Sequence, residues 1–166
     1  VPYRWFRAPD LGDLKRLLSV GMPASLQMTC EVSAFSLAGL IIGRFGPTAL
    51  AAHQIAITLA ATAFMIPLGL SMALTVRMGE AFGAGESKRL RPIAISGWLL
   101  AATYSLLAAG VFLVFGKYLA SLFISAPAVI SLTGSLLVIV GLFQLFDSLQ
   151  VTSSAMLRGL RDARIP

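Results

Sequence analysis

Four long apolar runs divide this chain, and they constrain its fold more than any other feature. They lie at about residues 23–43, 48–75, 93–115 and 130–155, and each is long enough to cross a bilayer, which takes about 20 residues of helix. Only 12% of the residues are charged and 57% are hydrophobic, whereas a soluble domain averages about 25% charged. The sequence therefore predicts an all-α membrane protein with four transmembrane helices.

The basic residues fall mostly on one side of these runs. Only Arg44 and Lys117 lie in the connections after the first and third runs, while the other eleven of the 13 lie elsewhere. Because cytoplasmic segments carry the excess of lysine and arginine, we expect a multi-pass inner (plasma) membrane protein with both ends of this chain and residues 76–92 in the cytoplasm. The eleven are Arg4, Arg7, Lys15, Arg16, Arg77, Lys88, Arg89, Arg91, Arg158, Arg161 and Arg164.

The net charge of +6 does not indicate a nucleic-acid partner. The basic residues form short clusters beside apolar runs with little aromatic surface between them, so membrane lipid is the expected neighbour. The polar stretch 76–92 is glycine-rich but lacks the GK[ST] ending of a phosphate-binding loop. We interpret it as a hinge-like connection, and we expect neither an enzyme nor a bound cofactor.

Glycine and proline predict where the first span begins and where the second span bends. Residues 1–20 predict a short juxtamembrane surface helix, which Gly21 and Pro23 separate from the first span. Pro67, in the second run, lacks an N–H and frees a carbonyl one turn earlier, so a kink is expected there. The chain opens on Val1 and ends on Pro166 after a basic stretch, which indicates part of a longer protein.

A single carboxylate, Glu31, lies near the middle of the first run. Its insertion costs roughly 2.5–3.5 kcal/mol, so a compensating role is expected. One interpretation is a structural carboxylate that is neutral or hydrogen-bonded to a neighbouring helix, and the other is a site for an ion or a proton. At 100° per residue Glu31 shares a face with Gln27 and Phe35.

The fourth run contains a second carboxylate, Asp147. The sequence predicts that Gln144, Asp147, Gln150 and Ser154 fall on one face, with Phe143 beside them. Such a polar stripe is explained either by hydrogen bonds between helices or by a water-filled cavity, which the carboxylate favours.

Four stretches, in this order, resemble one transporter family. They are GMPASLQMTCEVSAFS, IIGRFGPTALAAHQIA, FMIPLGLSMALTVRMGEAFGAGE and FQLFDSLQVTSSAMLRGLRDARIP. The pattern is similar to the multidrug and toxic compound extrusion (MATE) transporters, and most similar to the bacterial branch that includes sodium-coupled exporters. The resemblance implies a protein of twelve helices in two six-helix lobes, with this chain matching helices seven to ten. The N-terminal lobe and the last helices would then be its partners.

The resemblance also implies a function, namely export of cationic or amphipathic compounds in exchange for Na⁺ or H⁺. Glu31 and Asp147 would be the cation-site carboxylates, and the metal ligands if the ion is Na⁺. Gln54 would line the same cavity. Phe64 and Phe143 are candidates to present ring faces to an organic cation, although phenylalanines also serve packing. The expected lining is completed by Gln27, Gln144 and Gln150.

Three other functions fit the sequence less well. A flippase for a lipid-linked precursor would be expected to carry cationic cavity residues, whereas the charges within these runs are acidic. An intramembrane aspartyl protease would need paired aspartates, one within a GxGD motif, and this sequence has neither. A purely structural bundle would leave Glu31 and the stripe around Asp147 without a role.

Overall fold

The computed structural model describes residues 11–160 and shows four long helices joined by short connections. Helix α1 spans Leu11–Gly43, α2 Pro47–Gly83, α3 Ser87–Ser121 and α4 Pro127–Gly159. All four are long and apolar enough to cross a membrane, and the described residues contain no strand. The predicted all-α membrane fold is confirmed.

The helices are longer than the predicted spans because they continue beyond the apolar runs. Their 33 to 37 residues correspond to about 50–55 Å of helix, against a hydrocarbon core of about 30 Å. The expected break before the first span is wrong over the described residues: α1 continues through Gly21 and Pro23. Membrane helices tolerate such prolines. Residues 1–10 of the predicted surface helix lie outside the described part of the chain.

The long polar connection predicted at residues 76–92 is also wrong. Helix α2 continues to Gly83 and α3 begins at Ser87, so the connection is only residues 84–86. Gly85 alone in this stretch adopts a positive φ, 72°. Ion pairs of i,i+3 spacing, Arg77 with Glu80 and Glu86 with Arg89, flank the turn and support the helical form on both sides of it. In the same way α3 continues to Ser121, beyond the end of the third apolar run at about residue 115.

Helix α4 forms the centre of the bundle, packed against both α2 and α3. Small residues allow this close approach. A Cβ built on Gly141 would lie 3.3 Å from the Cα of Ala109 on α3, and one built on Gly159 would lie 2.7 Å from the carbonyl oxygen of Thr75 on α2. The three helices therefore form one tightly packed unit.

Helix α1 lies at the edge of this unit. It contacts mainly α2, and none of its described side chains is buried. Its ring contact with α4 joins Phe35 to Phe143, with centroids 6.3 Å apart and the planes perpendicular. One face of α1 is thus placed beside the central helix.

Candidate functional site

The contact between Phe35 and Phe143 defines how α1 and α4 face each other. Each connection reverses the chain direction, so α1 runs antiparallel to α4. Moving toward the start of α1 is therefore equivalent to moving toward the end of α4. Residues one turn before Phe35 and one turn after Phe143 lie at the same level, about 6 Å from the ring pair along the axes.

The two carboxylates occupy that level. Glu31 lies four residues before Phe35, and Asp147 lies four residues after Phe143. Both therefore lie one turn from the contact between Phe35 and Phe143, at the same depth on the faces that this contact joins. Asp147 is half-buried and Glu31 is exposed at the surface of the described bundle. The structure thus places at one level two acids that are more than 100 residues apart in the sequence.

The level beyond the carboxylates is also polar. Gln27 lies four residues before Glu31, and Gln150 lies three residues after Asp147. Gln27 is half-buried and Gln150 is exposed. The two helices therefore present matching successive levels of aromatic, acidic and amide side chains.

The four side chains of the stripe predicted on α4 differ in exposure. Gln144 is only 2% exposed and Ser154 4%, whereas Asp147 is half-buried and Gln150 is exposed. For the first three residues the physical reason is the helical period: each three-residue step falls about 60° short of a full turn, so the stripe winds around the helix. Gln144 points into the bundle, and Asp147 and Gln150 lie progressively further toward its surface. Ser154 is buried in the last third of α4, which α2 and α3 contact from two sides.

The remaining predicted residues lie on α2. Gln54 is exposed and Phe64 is half-buried. The described contacts do not join either side chain to the carboxylate pair. Their assignment to the same cavity therefore stays a prediction.

Buried polar groups that the sequence analysis missed extend from Gln144 along the inner face of α4. Ser148 and Thr152 follow it at four-residue intervals, and both are fully buried. The side-chain nitrogen of Gln144 and the hydroxyls of Ser148 and Thr152 have no hydrogen-bond partner within residues 11–160. The four-residue spacing was visible in the sequence, but serine and threonine are ordinary residues of packed membrane helices. The inner face of α4 is polar directly beside Asp147.

Two hydrogen bonds fix the last third of α4 against its neighbours. Thr75 of α2 donates to the carbonyl oxygen of Ala155 at 3.1 Å. The indole N–H of Trp98 on α3 donates to the hydroxyl of Ser153, also at 3.1 Å. Asp147 is therefore carried by a helix that is held from two sides.

Glu31 and Asp147 offer carboxylate oxygens at one level. Two carboxylates supply up to four oxygen atoms, which suit a hard cation such as Na⁺ or a shared proton. No cluster of three or more His, Cys, Asp or Glu residues that could hold a metal ion occurs in the described part of the chain. Any ion bound here would depend on the acid pair with help from amide, hydroxyl or carbonyl oxygens.

Comparison with known proteins places the chain in a family. The MatE family model matches residues 23–166. The chain belongs to the MatE family. The family resemblance of its four sequence stretches is thereby confirmed.

Relatives of this MatE chain carry names from drug resistance. It is 42% identical to the probable multidrug resistance protein NorM of Agrobacterium fabrum, over 97% of this chain and 36% of that protein. It is 39% identical to the multidrug resistance protein PmpM of Pseudomonas aeruginosa, over 98% and 34%. It is 33% identical to the multidrug resistance protein MdtK of Yersinia pseudotuberculosis, over 96% and 35%. The chain spans about a third of the length of these curated relatives.

Proposed function

We propose that this MatE chain is part of a secondary transporter that exports cationic or amphipathic compounds in exchange for Na⁺ or H⁺. The proposal is supported chiefly by the shared depth of Glu31 and Asp147, which lie one turn from the Phe35–Phe143 contact within the membrane-spanning parts of α1 and α4. The relatives are named multidrug resistance proteins, which supports drug efflux.

The exchange follows from the charge of the pair. Two ionised carboxylates repel each other, and the repulsion is strong where the dielectric constant is low. A proton or Na⁺ relieves this repulsion when it binds. An organic cation relieves it as well, so the coupling ion and the exported compound compete for the same negative charge. Coupled exchange then requires that the conformational states of the transporter differ in affinity for the two ligands.

The aromatic pair gives the organic cation a second reason to bind here. Phe35 is 42% exposed and Phe143 is 51% exposed, and both lie one turn from the carboxylates. An aromatic face attracts a cation by about 0.5–2 kcal/mol, more when water is excluded. A hydrophobic cation therefore gains from the rings, whereas Na⁺ gains chiefly from oxygen atoms.

The flippase alternative is less well supported. A phosphate-bearing substrate needs cationic groups within the membrane, whereas the charges at the middle level of the described helices are those of Glu31 and Asp147. Lys117 lies near the end of α3, far along the helix from this level. An aspartyl protease is disfavoured because the pair consists of one glutamate and one aspartate, whereas that class of enzyme uses two aspartates.

The decisive experiment uses the full-length transporter in sealed vesicles. Uptake or release of a fluorescent cationic dye is followed under an imposed Na⁺ gradient at constant pH, and under an imposed pH gradient without Na⁺. We expect one of the two imposed gradients to drive the dye against the concentration gradient of the dye itself. Equal dye fluxes with and without either gradient would overturn the proposal.

The assembly and orientation are proposed with the function. The four helices correspond to the seventh to tenth helices of a twelve-helix, two-lobed transporter, in which the N-terminal lobe and the last two helices complete the cavity. The connection of residues 84–86 faces the cytoplasm, because the excess of basic residues lies on its side of the bundle.

A further inference from the structure

Proline breaks the hydrogen-bond ladder of α2 near the middle of the helix. Pro67 has no N–H, so the carbonyl of Ala63 loses its usual partner four residues later. Pro67 is fully buried among the other helices. In a bilayer no water is available to satisfy such a carbonyl, so another donor is required.

Helix α3 supplies that donor. The hydroxyl of Tyr104 donates to the carbonyl oxygen of Ala63 at 2.8 Å. Other hydroxyls near this point bond within their own helix, for example Thr62 to the carbonyl of Thr58 and Ser105 to that of Ala101. Tyr104 differs because its long side chain crosses from α3 to α2 and ends on the one carbonyl that the proline released.

The proline break lies at the depth of the carboxylate pair. Helices α2 and α4 run parallel, and the bond from Thr75 to Ala155 joins residues 80 apart in sequence. A Cβ on Gly79 would likewise lie 3.5 Å from the carbonyl oxygen of Gly159, again an offset of 80. The same offset brings Pro67 level with Asp147, and Ala63 level with Phe143.

We propose that Tyr104 is a positioning residue that replaces the missing proline N–H and fixes the broken turn of α2 at the depth of the cation site. The turn from Ala63 to Pro67 includes Phe64, so the bond also sets the place of that ring. Without the hydroxyl, the carbonyl of Ala63 is unsatisfied and the two halves of α2 are free to change their angle. The geometric part of the proposal stands without the transport function, and only its effect on efflux rests on the proposed function.

The test is a double-mutant cycle in the full-length transporter. Tyr104→Phe removes the hydroxyl and keeps the ring, while Pro67→Ala restores the N–H that the carbonyl of Ala63 lacks. The readout is hydrogen exchange of the backbone amides of residues 64–71 in lipid nanodiscs. Interhelical hydrogen bonds in membranes have measured strengths that correspond to about 3-fold on average and at most about 20-fold in an equilibrium constant. We expect Tyr104→Phe to accelerate exchange by a factor in that range in the parent protein, and to have no effect in the Pro67→Ala background.

A matched control distinguishes loss of this bond from loss of any tyrosine hydroxyl. Tyr118 lies near the end of the same helix and is 64% exposed, so Tyr118→Phe should leave exchange of residues 64–71 unchanged. Equal acceleration by Tyr104→Phe with and without Pro67 would overturn the proposal, as would an effect no larger than that of Tyr118→Phe. The comparison with Tyr118→Phe tests the proposal even if the Pro67→Ala variant does not fold.

Dye efflux by the same variants is the functional readout. We expect Tyr104→Phe to reduce efflux per inserted protein, and Pro67→Ala combined with Tyr104→Phe to behave like Pro67→Ala alone. A protein that transports no dye at all would refute the proposed function but leave the exchange result intact, so the two failures can be told apart.

Discussion

At the scale of single residues, the acid pair gives the most direct test of the site. Glu31→Gln and Asp147→Asn keep size and hydrogen-bonding capacity but cannot bind and release a proton, and an amide holds Na⁺ much less well. We expect each change to abolish efflux of a fluorescent cationic dye while membrane insertion is retained, since removing a charge within the membrane does not hinder insertion. The measurement is dye efflux from cells, normalised to inserted protein.

The control for this pair is Glu80→Gln. Glu80 is an exposed carboxylate near the end of α2, 4.0 Å from Arg77, where an ion pair contributes little. Its loss should leave efflux unchanged. We also expect the combined Glu31→Gln and Asp147→Asn variant to be no worse than either single variant, because the proposed function assigns both residues to one cation. Near-normal efflux by a well-inserted single variant would reject that residue as essential for coupling.

The aromatic level should affect the organic substrate more than the coupling ion. Phe143→Leu keeps an apolar side chain and removes the ring face, which is worth about 0.5–2 kcal/mol to a cation. We expect the dye concentration for half-maximal efflux to rise by roughly 2- to 30-fold at unchanged ion dependence. Phe146→Leu is the matched control, since Phe146 is on the same helix and is 74% exposed. Equal effects of the two changes would assign Phe143 to general packing.

The sequence identified the two acids because a charge within an apolar run is costly wherever the fold places it. It could not identify Tyr104, since a tyrosine in a membrane helix has no cost that marks it and its partner is a backbone carbonyl. The sequence also predicted that Gln144 and Gln150 share one face of α4. In the structure Gln144 is buried and Gln150 is exposed, because each three-residue step falls short of a full helical turn. The cost of a charge within the membrane can be judged from one residue, whereas the hydrogen-bond partner of a side chain depends on the residues of another helix.

At the scale of helices, α2 and α4 approach closely because Gly159 has no side chain. Gly159→Ala would place a Cβ 2.7 Å from the carbonyl oxygen of Thr75 and equally close to the Cβ of Met78. Backbone cannot yield as a flexible side chain does, so we expect a loss of about 1–3 kcal/mol in the free energy of unfolding. Thermal unfolding of the purified full-length protein is the measurement. Gly69→Ala is the control, because nothing lies within 4 Å of its added Cβ, and it should not lower the melting temperature.

The helix ends show what composition can and cannot predict. Glycine-rich sequence around Gly79 and Gly83 suggested a long loop, yet the structure turns only at Gly85. Glycine is only weakly unfavourable in a helix, so isolated glycines such as Gly79 and Gly83 do not end α2. The existence of four helices was therefore predictable from composition, whereas their ends were not.

At the scale of the whole molecule, orientation is open to a simple chemical test. The test uses single cysteines at Ser87 and Thr48 in a Cys30→Ala background. Both positions are exposed. Thr48 lies at the start of α2 and Ser87 at the start of α3, so the two positions are at opposite ends of the bundle. The distribution of basic residues predicts that an impermeant thiol reagent labels position 48, and not position 87, in intact cells. Permeabilised cells should show labelling at both positions. The reverse pattern in intact cells would invert the proposed topology.

The placement of α1 at the edge of the bundle has a consequence for biosynthesis. Phe35 and Phe143 are 108 residues apart, so at about 5–20 residues per second a ribosome needs roughly 5–20 s to pass from one to the other. During that interval α1 is already made while the helix that carries Asp147 is not. Glu31 is therefore inserted before its acidic partner exists, and the two acids can meet only once α4 has been made. Helix α2, the main neighbour of α1, is made directly after it, so α1 has a packing partner well before Glu31 has an electrostatic one.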